Sequence, residues 1–230
     1  MVFKLTPSGG AWTESVLYAF SGNGKDAFSP GNGVNFDSAG NLDGTTVEGG
    51  GYEWGTVFQL TPSQYGWNES LLYQFNSAGD SGANPSGNML LDRAGNLYGT
   101  TSYDGTYGCG TAYELMPTGG SWILSVLYSF SGGTGACGPI GGLITDGAGN
   151  LYGTTAGTGA YQKGVVFKLT PAGGGWTYTT LHDFTGDSDG SEPWSTLVLD
   201  SKGNVYGTAN IGAGQGCNGV GCGVVFEITP

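Results

Sequence analysis

Positive charge is what this sequence has least of. Among 230 residues six are Lys or Arg against 18 Asp or Glu, and the net charge is −12. Such a surface repels phosphate backbones and anionic headgroups, which excludes nucleic acid and membrane surfaces as partners. Long hydrophobic runs are also missing: no 18 consecutive apolar residues occur, so no helical membrane span is expected. No leader-like segment opens the chain, which begins MVFKLTP, already inside a repeat, as a piece of a longer protein would. Histidine is down to one residue, His182, in a strand where other repeats have Tyr. It reads as a packed aromatic substitute, leaving Ser–His and Cys–His catalysis without a base. No phosphate-binding G-x-x-x-x-G-K-[ST] segment appears.

What is abundant is glycine, 48 residues, alongside 13% aromatics. Regularly placed apolar positions allow a core, so the glycines read as turn residues among short strands. The stretch GNLYGTT occurs at residues 95–101 and 149–155, and returns altered as GNLDGTT at 40–46 and GNVYGTA at 203–209. Other markers keep the same spacing: VFKLTP and its variants, Trp12, Trp67, Trp122 and Trp176, Pro30, Pro85, Pro139 and Pro193, and Asp37, Asp92, Asp146 and Asp200 before tight turns. A period of 54 or 55 residues points to a propeller or solenoid.

Each unit reads as four short strands, with no apolar pattern of helix length and with period-2 alternation, as in Phe58 and Leu60 against Gln59 and Thr61. A lone four-stranded sheet cannot cover both faces, so units must stack. The expected fold is all-β: a four-bladed propeller of four-stranded antiparallel blades, one domain over 1–230. Repeats are placed at about 2–56, 57–111, 112–165 and 166–224, with a closing strand at 225–230. The N- and C-terminal strands are expected to pair and close the ring, leaving one copy of VFKLTP/VFEITP surplus at an edge and available for self-association. The turn aspartates read as turn chemistry rather than a catalytic ring. Gly99, the glycine of GNLYGTT, is expected to let a neighbouring sheet approach closely.

In order, the motifs GTVFxLTP, WxESVLYxF, a Gly/Asp-rich loop with Pro, LxxDxAGNLYGTT and GCGT resemble the GloVer type of choice-of-anchor tandem repeat over essentially the whole chain. The resemblance implies a bacterial secreted or surface β-repeat protein, anchored by a separate segment, with no catalytic residues to carry over. Departures from the repeat are Asp43 and His182, where it has Tyr, and the longer NIGAGQGCNGVGCG loop of the last unit.

Function on such a scaffold is expected on the long, variable loops. They carry Tyr52, Trp54, Tyr103, Tyr107, Tyr161 and Trp194, amphipathic rings suited to stacking on sugars. A binding or display module for carbohydrate is the first reading. A glycan-cleaving hydrolase or lyase is the alternative, with Glu53 and Asp104 as the candidate carboxylate pair. A structural unit assembling through the duplicated strand is the third. No cofactor is expected beyond a candidate calcium loop at Asp187, Asp189 and Glu192. Cys109, Cys137, Cys217 and Cys222 are disulfide candidates, the last two closing CNGVGC, and imply an extracellular setting.

Overall fold

The structure is a computed structural model and describes residues 1–22, 26–212 and 221–230. It is all-β, with no helix among the described residues. Strands β1 (Val2–Ser8) and β2 (Ala11–Tyr18) form a two-stranded sheet. After β3 (Ala27–Phe28), the second sheet comprises β4 (Asn35–Phe36), β5 (Leu42–Thr46), β7 (Thr56–Ser63) and β8 (Gly66–Gln74), while β6 (Glu48–Gly49) pairs with β3. The third sheet comprises β9 (Ala83–Leu91), β10 (Leu97–Tyr103), β11 (Thr111–Thr118) and β12 (Ser121–Ser129). The fourth comprises β13 (Ile144–Thr145), β14 (Leu151–Thr155), β15 (Val165–Ala172) and β16 (Gly175–Asp183). The last has β17 (Val198–Leu199), β18 (Val205–Ala209) and β19 (Val224–Ile228). Within these five sheets every pairing is antiparallel and, β6 aside, between strands successive in the chain; three of the sheets are the four-strand meander expected from the repeat.

The recurrent turn aspartates are structural. Asp146 Oδ1 accepts from the Ala148 and Asn150 amides at 2.9 and 3.0 Å, and its Oδ2 accepts from Asn150 Nδ2 at 2.7 Å. Asp37, Asp92 and Asp200 repeat the arrangement. Asp supplies the acceptors that close the turn into the second strand, and the turn glycine takes a positive φ of 82–89° in all four.

The strand glycine does a different job from the one its sequence suggests. Gly44, Gly99, Gly153 and Gly207 lie directly across from Phe58, Tyr113, Phe167 and Phe226 on the next strand of their own sheet. A Cβ on Gly153 would stand 2.5 Å from the Phe167 ring, and the other three positions are as tight. The glycine is vacant space into which a cross-strand ring folds flat. It admits an aromatic ring of its own sheet rather than a neighbouring sheet.

That ring then meets the next unit. Phe20, Phe75, Phe130 and Phe184, each closing a unit's last strand, contact Phe58, Tyr113, Phe167 and Phe226 at ring-centroid distances of 5.0–5.3 Å. A bulge at the same place in each hairpin, between Val166 and Phe167 for example, turns the strand end toward the neighbouring sheet. Around these rings sit four apolar clusters, one per junction between successive sheets, as in Val57 and Phe75 with Met89, Leu97, Tyr113 and Leu115. Burying each Phe stabilises by about 1.5–3 kcal/mol, with about 0.5–1.5 kcal/mol more from each edge-on pair.

The expected closure by terminal strands is not formed. β2 pairs with β1, and β19 pairs only with β18 among the described residues. The N-terminal VFKLTP occupies the place beside β2 that VFEITP would need, in the register of β7 with β8. The duplicated strand lies at a sheet edge, and the described strands make five meander sheets plus the β3–β6 pair rather than four closed blades.

An acidic cluster joins the first sheet to the second. The Tyr18 hydroxyl donates to Glu69 Oε2 at 3.2 Å, Glu69 shares a hydrogen bond with Asp26, and Asp26 Oδ2 accepts from the Ser21 amide and hydroxyl. Burial first, then Asp26, push the Glu69 carboxyl up to about 8.

Two predictions follow from this packing. Gly153→Ala lowers thermal stability by about 1–3 kcal/mol through overpacking, whereas Gly147→Ala, in a turn where a Cβ meets nothing, leaves the melting temperature unchanged. Folding holds on Glu69 a proton that an unfolded chain releases near pH 4.5. Its contribution is therefore full below that pH and declines as pH rises through about 8, so melts should show this fall in wild type and a flatter profile in Glu69→Gln.

Candidate functional site

The long loops are fastened to one another by a hydrogen bond that recurs with the repeat. The amides of Asn84, Gly138 and Glu192 donate to the carbonyls of Trp54, Cys109 and Lys163 at 2.8–2.9 Å. Each donor precedes a repeat proline and has a positive φ, 54, 60 and 58°. That conformation is strained for Asn and Glu, and the clasp holds it. At the first of these junctions Asn84 Nδ2 also donates to the Val47 carbonyl at 2.9 Å, and Ser102 Oγ donates to the Asn84 carbonyl at 3.1 Å. The stretch after β5 and the facing ends of β9 and β10 thereby meet around one residue.

A cavity of about 440 Å³ opens there, walled by Trp54, Tyr103, Asp104 and Asn84. Trp54 and Tyr103 remain 40% and 63% exposed, with ring area available to a ligand. Asp104 Oδ2 is buried and has no hydrogen-bond donor within reach, an unmet acceptor beside two aromatic rings. The chemistry offered is stacking plus hydroxyl recognition.

The next junction shows what makes this one distinctive. Cys109 and Cys137 occupy the places that Trp54 and Ala83 hold here, and they are disulfide-bonded. Equivalent space is left open in one junction and sealed covalently in its neighbour. The bond ties the loop carrying Tyr103, Asp104 and Tyr107 to the following loop, a constraint worth about 2–4 kcal/mol across 28 positions. It also marks an oxidising compartment, such as the extracellular space. Cys222 is disulfide-bonded as well, and Cys217, the partner expected for it, lies outside the described residues.

Other candidates fall elsewhere. Glu53 is exposed and does not line the cavity that holds Asp104, so the proposed carboxylate pair does not share it. Its φ of 65° recurs at Gly108 and Gln162, as a turn requirement does. Tyr52, Tyr107 and Tyr161 stand at matching loop positions, 58–63% exposed, and none lines the cavity. Trp194 is half exposed on a different loop. Among the calcium candidates, Asp189 is occupied: its oxygens accept from the Thr185 amide and hydroxyl, and Oδ2 meets His182 Nε2 at 3.1 Å. Asp187, Asp189 and Glu192 do not converge, since no group of three or more His, Cys, Asp or Glu is placed to hold a metal ion among the described residues. His182 packs edge-on against Phe184 with centroids 4.7 Å apart, as Tyr73 and Tyr128 do against Phe75 and Phe130. Sequence reasoning missed Asn84, although the recurring proline that follows it, Pro85 here, was the available signal.

The architecture defines an all-β tandem-repeat protein of four-stranded antiparallel units. The chain belongs to the Gloeobacter/Verrucomicrobia repeat family, whose profile matches residues 1–176 and again 90–230. Among solved structures it is similar to the GH43 endo-arabinanase from Bacillus licheniformis, with 13% sequence identity, a TM-score of 0.44, and coverage of 84% of this chain and 71% of that one. No curated protein matches the chain. No helix among the described residues is long and apolar enough to cross a membrane.

Proposed function

We propose that this chain is a carbohydrate-binding display module of an exported repeat protein, its sheets serving as successive propeller-type blades and its ligand site lying in the cavity at Trp54. The observation that carries the reading is the meeting of Trp54, Tyr103 and Asp104 around one cavity of about 440 Å³. A sugar ring stacks on the indole or phenol face, and its hydroxyls donate to Asp104 and bond the Asn84 side chain. Binding is preferred over cleavage because glycoside hydrolysis ordinarily uses two carboxyl groups flanking one bond, and among the described residues Asp104 is the one carboxylate lining this cavity. An acidic surface free of phosphate-binding features suits neutral polysaccharide better than an anionic one.

A glycan array followed by calorimetry tests the proposal. Wild type should bind a neutral glycan, and Trp54→Ala and Tyr103→Ala should each weaken binding at least about tenfold without lowering the melting temperature by more than a few degrees. Undiminished binding by Trp54→Ala contradicts the site. Release of reducing ends abolished by Asp104→Asn favours the cleaving enzyme instead.

A further inference from the structure

On the side of the short turns, the second and third sheets enclose a groove of about 550 Å³. Two departures from the repeat line it. One is Asp43, on β5 of the second sheet, where the other units have Tyr98, Tyr152 and Tyr206. The other is Arg93, the chain's single arginine, in a turn whose counterparts have Ser38, Gly147 and Ser201.

In the regular units the tyrosine is used up by its own sheet. Tyr98 donates to Asp92 Oδ2 and Glu114 Oε1 at 3.3 and 2.8 Å, and Tyr206 donates to Asp200 and Glu227 at 3.2 and 2.8 Å. In the first unit the residue facing Asp43 differs too, from Glu114, Lys168 and Glu227 in the other three. Gln59 stands where Glu114 and Glu227 stand, and its Nε2 donates to Asp43 Oδ1 at 2.9 Å and to Asp37 Oδ2 at 3.4 Å. A glutamate there would repel Asp43, whereas the amide bridges the two carboxylates. Asp43 is 2% exposed and lines the groove, and its Oδ1 accepts from Gln59. Burial pushes its carboxyl up to about 6, opposed by the Gln59 hydrogen bond and helped by the charge on Asp37. Asp37 and Asp92 offer little, because their own turns consume their oxygens. Burying a carboxyl costs stability that the repeat's tyrosine would not. Trp122 adds a partly buried aromatic wall.

We propose that this groove is a second carbohydrate subsite, in which a neutral sugar ring lies against Trp122, donates a hydroxyl to Asp43 Oδ2 and accepts from the Arg93 guanidinium. The inference rests on the reading of the chain as carbohydrate-binding but uses residues on the opposite side of the sheets from Trp54.

Reversion to the repeat tests it. Calorimetric titration with cellohexaose and xylohexaose, read together with melting temperature, is applied to wild type, Asp43→Tyr, Arg93→Ala and Trp54→Ala. Asp43→Tyr should raise the melting temperature and remove one of two binding sites. Arg93→Ala, an exposed change with no folding cost, should weaken that same site about tenfold. Trp54→Ala should leave the groove site intact. Binding by Asp43→Tyr equal to wild type, or no oligosaccharide binding by wild type, overturns the proposal. Loss of all binding in Asp43→Tyr with none lost in Trp54→Ala would retain the groove and discard the long-loop site.

Discussion

One contact organises the molecule: an aromatic ring laid over a glycine on the neighbouring strand and touched edge-on by the last phenylalanine of the preceding unit. Gly153, Phe167 and Phe130 form one such set, and the pattern occurs at four junctions. The glycine makes a hollow within a sheet, the ring fills it, and the preceding unit covers the ring. Remove any member and the other two lose their reason to be there. The proof lies in a segment that occurs twice without change. VFKLTP at Val166–Pro171 buries Phe167 completely, whereas the same six residues at Val2–Pro7 leave Phe3 52% exposed. Among the described residues β1 pairs only with β2, so no glycine strand lies beside it. Sequence identical, burial opposite: the surroundings decide.

This explains how much could be read from the chain. The Asp-x-x-Gly-Asn turn closes within four residues, so its chemistry is visible in the letters, as are the strand periods on either side. The role of Gly99 was half legible. Its smallness was plain, but the choice between a neighbouring sheet and Tyr113 of its own sheet depends on strand register. Pairing at the ends was read wrongly because composition cannot rank two near-identical strands competing for β2, and the N-terminal copy wins by adjacency.

The candidate site was legible in its aromatics and illegible in its grouping. Trp54, Tyr103 and Asp104 come together because a clasp from Asn84 pulls separate loops onto one spot. Nothing local in Tyr107 or Trp194 distinguishes them from Tyr103. Cys109 and Cys137 were visible as disulfide candidates, but that they pair with each other needed the fold. Asp43 was visible as a departure from the repeat, but its meaning required Gln59 opposite it and Arg93 lining the same groove. Regular positions thus build the scaffold, and the irregular ones supply its chemistry.

The direct test of this scaffold is a double-mutant cycle between Phe130→Leu and Phe167→Leu, which sit on adjacent sheets with ring centroids 5.1 Å apart. Coupled rings predict that the two losses of stability fail to add, with an interaction energy of about 0.5–1.5 kcal/mol in unfolding experiments. Strict additivity within error would mean that these rings are buried side by side without holding the sheets together, and would contradict the account.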